Sequence, residues 1–192
     1  MIDLPRTNFH NDDNNETAKI FWGRAQIENA SSYLHFTKGG IVQRLLHKLK
    51  YKGEIEIGTF LGNLIGNELI QTRFSDVDII VPIPLHSKKL AKRGYNQSEI
   101  IANGISAVLN KPINSKSLVR ISEKTSQTNK HRYERWLNVK EIFKVKDKKT
   151  LNNMHILLVD DVVTTGATLE ACVEALQQCD NIKISIITVA KA

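Results

Sequence analysis

Cysteine is scarce in this sequence: two residues, Cys172 and Cys179, in a chain of 192. Seven positions apart in what reads as one helix, their Cα atoms would sit about 10 Å from each other, too far for a disulfide. That excludes a disulfide scaffold, fits a reducing compartment, and leaves the pair as small buried apolar residues. No run of about 18 apolar residues occurs, which excludes a membrane-spanning helix. The N-terminus lacks an apolar signal-peptide core, so a cytoplasmic location is expected. With 10 glycines and 4 prolines the chain is not collagen-like, and with 41% hydrophobic and 24% charged residues it is not disordered throughout. Its length suits one domain with a sizeable core, burying roughly 70% of the unfolded surface.

Charge is unevenly spread around a net +7. Asp3, Asp12, Asp13 and Glu16 outnumber Arg6 and Lys19 in residues 1–19, and the nearly all-polar stretch Asn8–Glu16 predicts a mobile lead-in before a domain over 20–192. Lys38, Arg44, Lys48, Lys50 and Lys52 form one acid-free run, and Lys88, Lys89, Lys92 and Arg93 another. After residue 150 the sign reverses, with Asp160, Asp161, Glu170, Glu174 and Asp180 against Lys183 and Lys191. Basic segments around an acidic pair imply an anionic partner, without separating nucleic acid from small phosphates. Any single lysine run is equally a solvated face.

Apolar periodicity predicts helices around Ile41–Leu49, Ile57–Leu69 and Gln97–Leu109. Gly58, Gly62 and Gly66 recur every fourth residue in the second; with Asn63, Asn67 and Glu68 beside them, they predict close helix packing in a soluble core. Val77–Ile83 reads as a buried strand, and a polar, basic insert follows over 111–150, with short strand candidates at Ser117–Ile121 and Ile142–Lys146. His155–Val159 reads as a strand, Thr168–Cys179 as a helix, and Ile182–Ala190 as a last strand. This order predicts an α/β domain around a parallel sheet, in which ligands bind beyond the carboxyl ends of strands.

The most informative segment is HILLVDDVVTTGAT, residues 155–168. Gly166 permits a turn that a side chain would hinder. The amides of Thr164, Thr165, Gly166, Ala167 and Thr168, at the start of a helix, make a donor-rich cup for a phosphate. The adjacent carboxylates Asp160 and Asp161 cannot bind that phosphate; they suit a neighbouring polyol or a divalent cation. A phosphate beside a diol describes a ribose 5-phosphate. There is no Walker lysine and no GxGxxG fingerprint. A receiver domain would place such an acidic pair near its start, not 31 residues from the end. Helix capping by Asp161 or Thr164 accounts for one residue only. Arg93–Gln97 reads as a phosphate loop or as an Asn96 helix cap, and Lys50–Lys52 as a phosphate contact or an exposed helix end.

The segment LLVDDVVTTGAT resembles the phosphoribosyl pyrophosphate (PRPP) motif of the type I phosphoribosyltransferases. With LLHKLKYKGE (45–54), VPIPLHSKKLAKRGYNQSE (81–99) and TSQTNKHRYERWLNV (125–139), it resembles the ComF branch, also described as amidophosphoribosyltransferase-like. The resemblance implies a type I α/β fold with a small hood and flexible-loop insert. It implies that Asp160 and Asp161 are catalytic and bind the ribose hydroxyls, and that Thr164–Thr168 hold the 5-phosphate. Pro84, Lys88, Lys89 and Arg93 would form a pyrophosphate loop, and Lys130, Arg132 and Arg135 would be anion ligands of the flexible loop. The implied chemistry moves ribose 5-phosphate to an acceptor nitrogen and releases pyrophosphate. Mg²⁺ would enter with PRPP, beside Asp160 and Asp161. The family also implies other roles on the same fold: a competence accessory contacting single-stranded DNA, or a PRPP or nucleotide sensor. Type I relatives often form homodimers. ComF-type proteins commonly open with a four-cysteine zinc module; both cysteines here lie near the C-terminus, so no zinc is expected in this chain.

Overall fold

The structure, a computed structural model, describes residues 4–121 and 142–192. Four parallel strands make the central sheet: β1 (Asn29–His35), β2 (Ile79–Pro82), β5 (His155–Val163) and β6 (Lys183–Lys191), in the spatial order β1-β6-β5-β2. β3 (Leu118–Arg120) and β4 (Phe143–Val145) form a separate antiparallel pair. The helices are α1 (Glu16–Lys19), α2 (Ile41–Tyr51), α3 (Ile55–Leu69), α4 (Ser87–Arg93), α5 (Gln97–Leu109) and α6 (Ala167–Leu176). None of the described helices is long and apolar enough to cross a membrane.

Alternate residues of β5 feed two cores, as strand geometry requires. Ile156 and Leu158 pack with Leu169, Cys172, Val173 and Leu176 of α6 and with the β3–β4 pair. Leu157 and Val159 face α2, α3 and α5 on the other side. A buried side chain of this kind contributes roughly 1.5–3 kcal/mol, so both layers hold the carboxyl ends of β5 and β6 in place. The glycine spacing in α3 serves packing against α5: a Cβ on Gly62 would lie 2.2 Å from the Ile101 carbonyl oxygen. Both cysteines are buried and unpaired, and Cys179 lies beyond the end of α6 rather than inside one helix with Cys172.

The described part of the N-terminal segment lies along β1. The Thr7 amide bonds to the Tyr33 carbonyl at 3.0 Å and the His35 amide to the Pro5 carbonyl at 2.8 Å, covering the free edge of β1. Asn15 is buried, caps α1 through the Thr17 and Ala18 amides, and donates to the Ala30 carbonyl at 2.8 Å. Polar side chains stay fixed here because they satisfy one another and the backbone. Pro82 is tolerated in β2 because that strand is the opposite edge of the sheet.

Candidate functional site

The site forms where β5 outruns β2. Pairing of the two strands ends at Pro82 and Val159, with the Ile83 amide donating to the Val159 carbonyl at 2.9 Å. β6 continues beside β5, Thr188 opposite Asp160 and Ala190 opposite Val162. The acidic pair therefore sits within a strand that runs to Val163, four residues past the end expected from the sequence. β-Branched Val162 and Val163 extend it along β6.

The two carboxylates have different surroundings. Asp160 is half-buried; its Oδ1 accepts from the Ser98 hydroxyl at 2.9 Å and from the Asp161 amide at 2.9 Å. Desolvation, reinforced by the neighbouring Asp161 charge, pushes its carboxyl up to about 7. Asp161 is buried, 5% exposed; its Oδ1 accepts from the Val162 amide at 2.8 Å. Its Oδ2 makes an ion pair with the Lys50 ammonium, without hydrogen-bond alignment.

Thr164 and Thr165 are exposed, and Gly166, at φ 76°, immediately precedes α6. A Cβ on Gly166 would meet Ile20 Cγ2 at 2.6 Å. No side chain caps the first turn of α6, and among the described residues no acceptor pairs with the amides of Thr164–Thr168. These donors, at the positive end of a helix, are available to an anion. The loop is braced from the N-terminal segment: Arg24 donates to the Thr165 carbonyl at 2.9 Å and pairs with Glu170.

The segment expected as a pyrophosphate loop is mostly helix. Ser87–Arg93 forms α4, capped by the His86 side chain on the Lys88 amide and stopped by Gly94 at φ 86°. Only Pro84–His86 remains outside regular structure before it. Lys, Ala and Leu are good helix formers, and that preference sets the local structure. Lys88 and Lys89 are exposed on α4; Arg93 is half-buried, held by the Gln97 side chain and lying 5.5 Å over the Tyr51 ring. Asn96 caps α5 through the Ser98 amide and donates to the Ile83 carbonyl at 2.9 Å, tying the α5 start to the end of β2. The structure thus joins Asp160, Asp161 and the 164–168 loop with Ser98, Lys50 and Arg24. Lys130, Arg132 and Arg135 lie outside the described residues.

Sequence reasoning missed Ser98 and Arg24 and left Lys50 undecided. Ser98 lies two residues after the cap residue Asn96 and had a positional signal; Arg24 had none, because its partners at the site, Thr165 and Glu170, are more than 140 residues away.

Residues 67–192 match the family model described as the phosphoribosyl transferase domain. The chain belongs to this family. Among curated relatives, it is 30% identical over 136 residues to the DNA utilization protein YhgH of Salmonella typhi, which covers 69% of this chain and 59% of that protein. It is 28% identical over 141 residues to the competence protein ComFC of Bacillus subtilis, covering 73% of this chain and 55% of that one. These relatives bear out the ComF-like branch. The chain spans less than two thirds of the length of the curated relatives it matches. Of solved structures, the glutamine PRPP amidotransferase of B. subtilis complexed with ADP and GMP is 17% identical, with a TM-score of 0.46 over 68% of this chain and 26% of that one.

Proposed function

We propose that this phosphoribosyl transferase domain binds PRPP and transfers its ribose 5-phosphate to an acceptor nitrogen, releasing pyrophosphate. The supporting observation is the run from two carboxylates on β5 into a helix start whose Thr164–Thr168 amides have no described acceptor. Asp160 and Asp161 take the ribose hydroxyls, and the 164–168 amides and threonine hydroxyls take the 5-phosphate. Arg93, with Lys88, Lys89 and the turn at Pro84, serves the diphosphate. The bond from C1 to the diphosphate oxygen breaks as the bond from C1 to nitrogen forms. The protein contributes alignment and charge stabilisation. Asp160, titrating near 7, is suited to hold the proton that the acceptor loses.

The donor set fits a magnesium ion brought in by the ligand. Asp160 is the carboxylate that offers an oxygen: its Oδ1 is bonded by Ser98 and the Asp161 amide, whereas Asp161 Oδ2 is already paired with Lys50. No cluster of three acidic, histidine or cysteine side chains among the described residues would hold a metal alone. The diphosphate would supply the remaining oxygen ligands. The cation would offset leaving-group charge. The test is a screen of nucleobases and amines with PRPP and Mg²⁺, following pyrophosphate release. Release dependent on one acceptor class supports transfer; none with any acceptor contradicts it.

A second reading is a nucleic-acid-handling role on the same fold. It is supported by the names of the relatives and by exposed Arg44, Lys48, Lys52, Lys88, Lys89 and Lys92. Binding of single-stranded DNA that weakens steeply with salt supports this role; affinity independent of salt contradicts it.

A further inference from the structure

The last turn of α2 precedes the family-matched residues 67–192, yet it meets the site at three points. Lys50 pairs with Asp161 Oδ2, the Tyr95 hydroxyl donates to the Leu49 carbonyl, and the Tyr51 ring lies under Arg93. This turn is not a loose helix end. Leu49 is fully buried with Val42 and Leu46, so the α2 backbone is fixed relative to β5.

The Lys50–Asp161 contact differs from a solvated surface pair. The two side chains are 25% and 7% exposed. A carboxylate this buried needs a compensating charge, and Lys50 supplies it. Yet Oδ2 has no aligned hydrogen bond. The ammonium therefore neutralises and orients the carboxylate, and Oδ2 itself is shut away from solvent. The other oxygen is already committed to the Val162 amide. Both oxygens are thus held by the protein, which fixes the carboxylate beside Asp160.

We propose that Lys50 is a positioning residue of the sugar-phosphate site, holding the buried Asp161 carboxylate in place beside Asp160 at the sugar end of the ligand. This rests on the PRPP reading above and extends the site beyond the matched domain. Lys50 acts through Asp161, so its contribution is to the sugar end of the ligand. It applies equally to PRPP and to ribose 5-phosphate, which lacks the diphosphate.

The test is calorimetric titration of the full chain with PRPP plus Mg²⁺ and with ribose 5-phosphate, in Lys50→Met, Lys50→Arg, Asp161→Asn and the double variant Lys50→Met/Asp161→Asn. Lys50→Met should weaken both ligands by about tenfold or more, the size of a direct pairwise coupling. Lys50→Arg should recover most of that loss at an unchanged melting temperature, which a purely structural role would not require. The double variant should bind no more weakly than Asp161→Asn alone. It also leaves no unpaired buried charge, so it keeps the comparison available should Lys50→Met fail to fold. Wild-type affinities in Lys50→Met, or a further tenfold loss in the double variant, would overturn the proposal while leaving the PRPP reading intact. Absence of PRPP binding by the unaltered chain would overturn both.

Discussion

The Ser98 hydroxyl donates to Asp160 Oδ1 at 2.9 Å, joining the first turn of α5 to the acidic end of β5. A hydrogen bond to a carboxylate favours its ionised form, and here it opposes the upward push of desolvation and of Asp161. Ser98→Ala should therefore move the Asp160 pKa further up, by about one unit. If PRPP requires the ionised carboxylate, the pH profile of its affinity should shift alkaline by a similar amount. An unshifted profile in this variant would detach Asp160 from ligand binding.

Asp160 also sets a stability trend. Its native value of about 7 lies above the ordinary 3.8, so the native state holds the proton more tightly than the unfolded chain does. The associated stability is fully present below about pH 4 and is lost as pH rises through about 7. In metal-free, ligand-free protein, Asp160→Asn should match the parent near pH 4 and exceed its stability by roughly 1–4 kcal/mol near pH 8. Urea denaturation at the two pH values measures this directly.

Helix packing gives a contrast within one helix. A methyl on Gly62 would strike the Ile101 carbonyl oxygen at 2.2 Å and the Gly104 Cα at 2.9 Å, both backbone. At Gly58 the nearest atoms are side-chain carbons of Ile100 and Leu49 rather than backbone. Gly62→Ala should cost about 2–3 kcal/mol in denaturant unfolding and Gly58→Ala distinctly less, because a side chain can rotate away and a carbonyl cannot.

Asn15 tests whether the N-terminal segment belongs to the fold. It accepts from two α1 amides and donates to the Phe9, Asp12 and Ala30 carbonyls. Asn15→Ala should cost about 2–3 kcal/mol, from the lost cap and the unpaired Ala30 carbonyl. Hydrogen exchange should rise across residues 16–24, including the segment that braces the 164–168 loop. Unchanged protection would mean that this segment is not cooperatively tied to the sheet.

The part of the site that could be read from sequence is the part that is local. β5, the Gly166 turn and α6 lie in one stretch of chain, with apolar periodicity on both sides of the acidic pair. β1 gave no such signal. Its sequence NASSYLH buries Ser31 and Ser32, and the Ser32 hydroxyl is satisfied by Thr17 at 2.8 Å and Thr188 at 2.7 Å. A polar strand held by partners across the fold shows no alternation of apolar residues. α4 was hidden for the opposite reason: it has no buried residue, so its helicity comes from propensity and caps rather than from a core face. Asp160 and Asp161 were legible as a pair, but their difference was not, since Ser98 and Lys50 reach them from α5 and α2.

The most direct test of the central claim is calorimetric titration of PRPP with Mg²⁺ into the unaltered chain and into Asp160→Asn/Asp161→Asn. Saturable binding in the first and its loss in the second, with folding intact, is the result the account predicts. Equal affinity in both would contradict it.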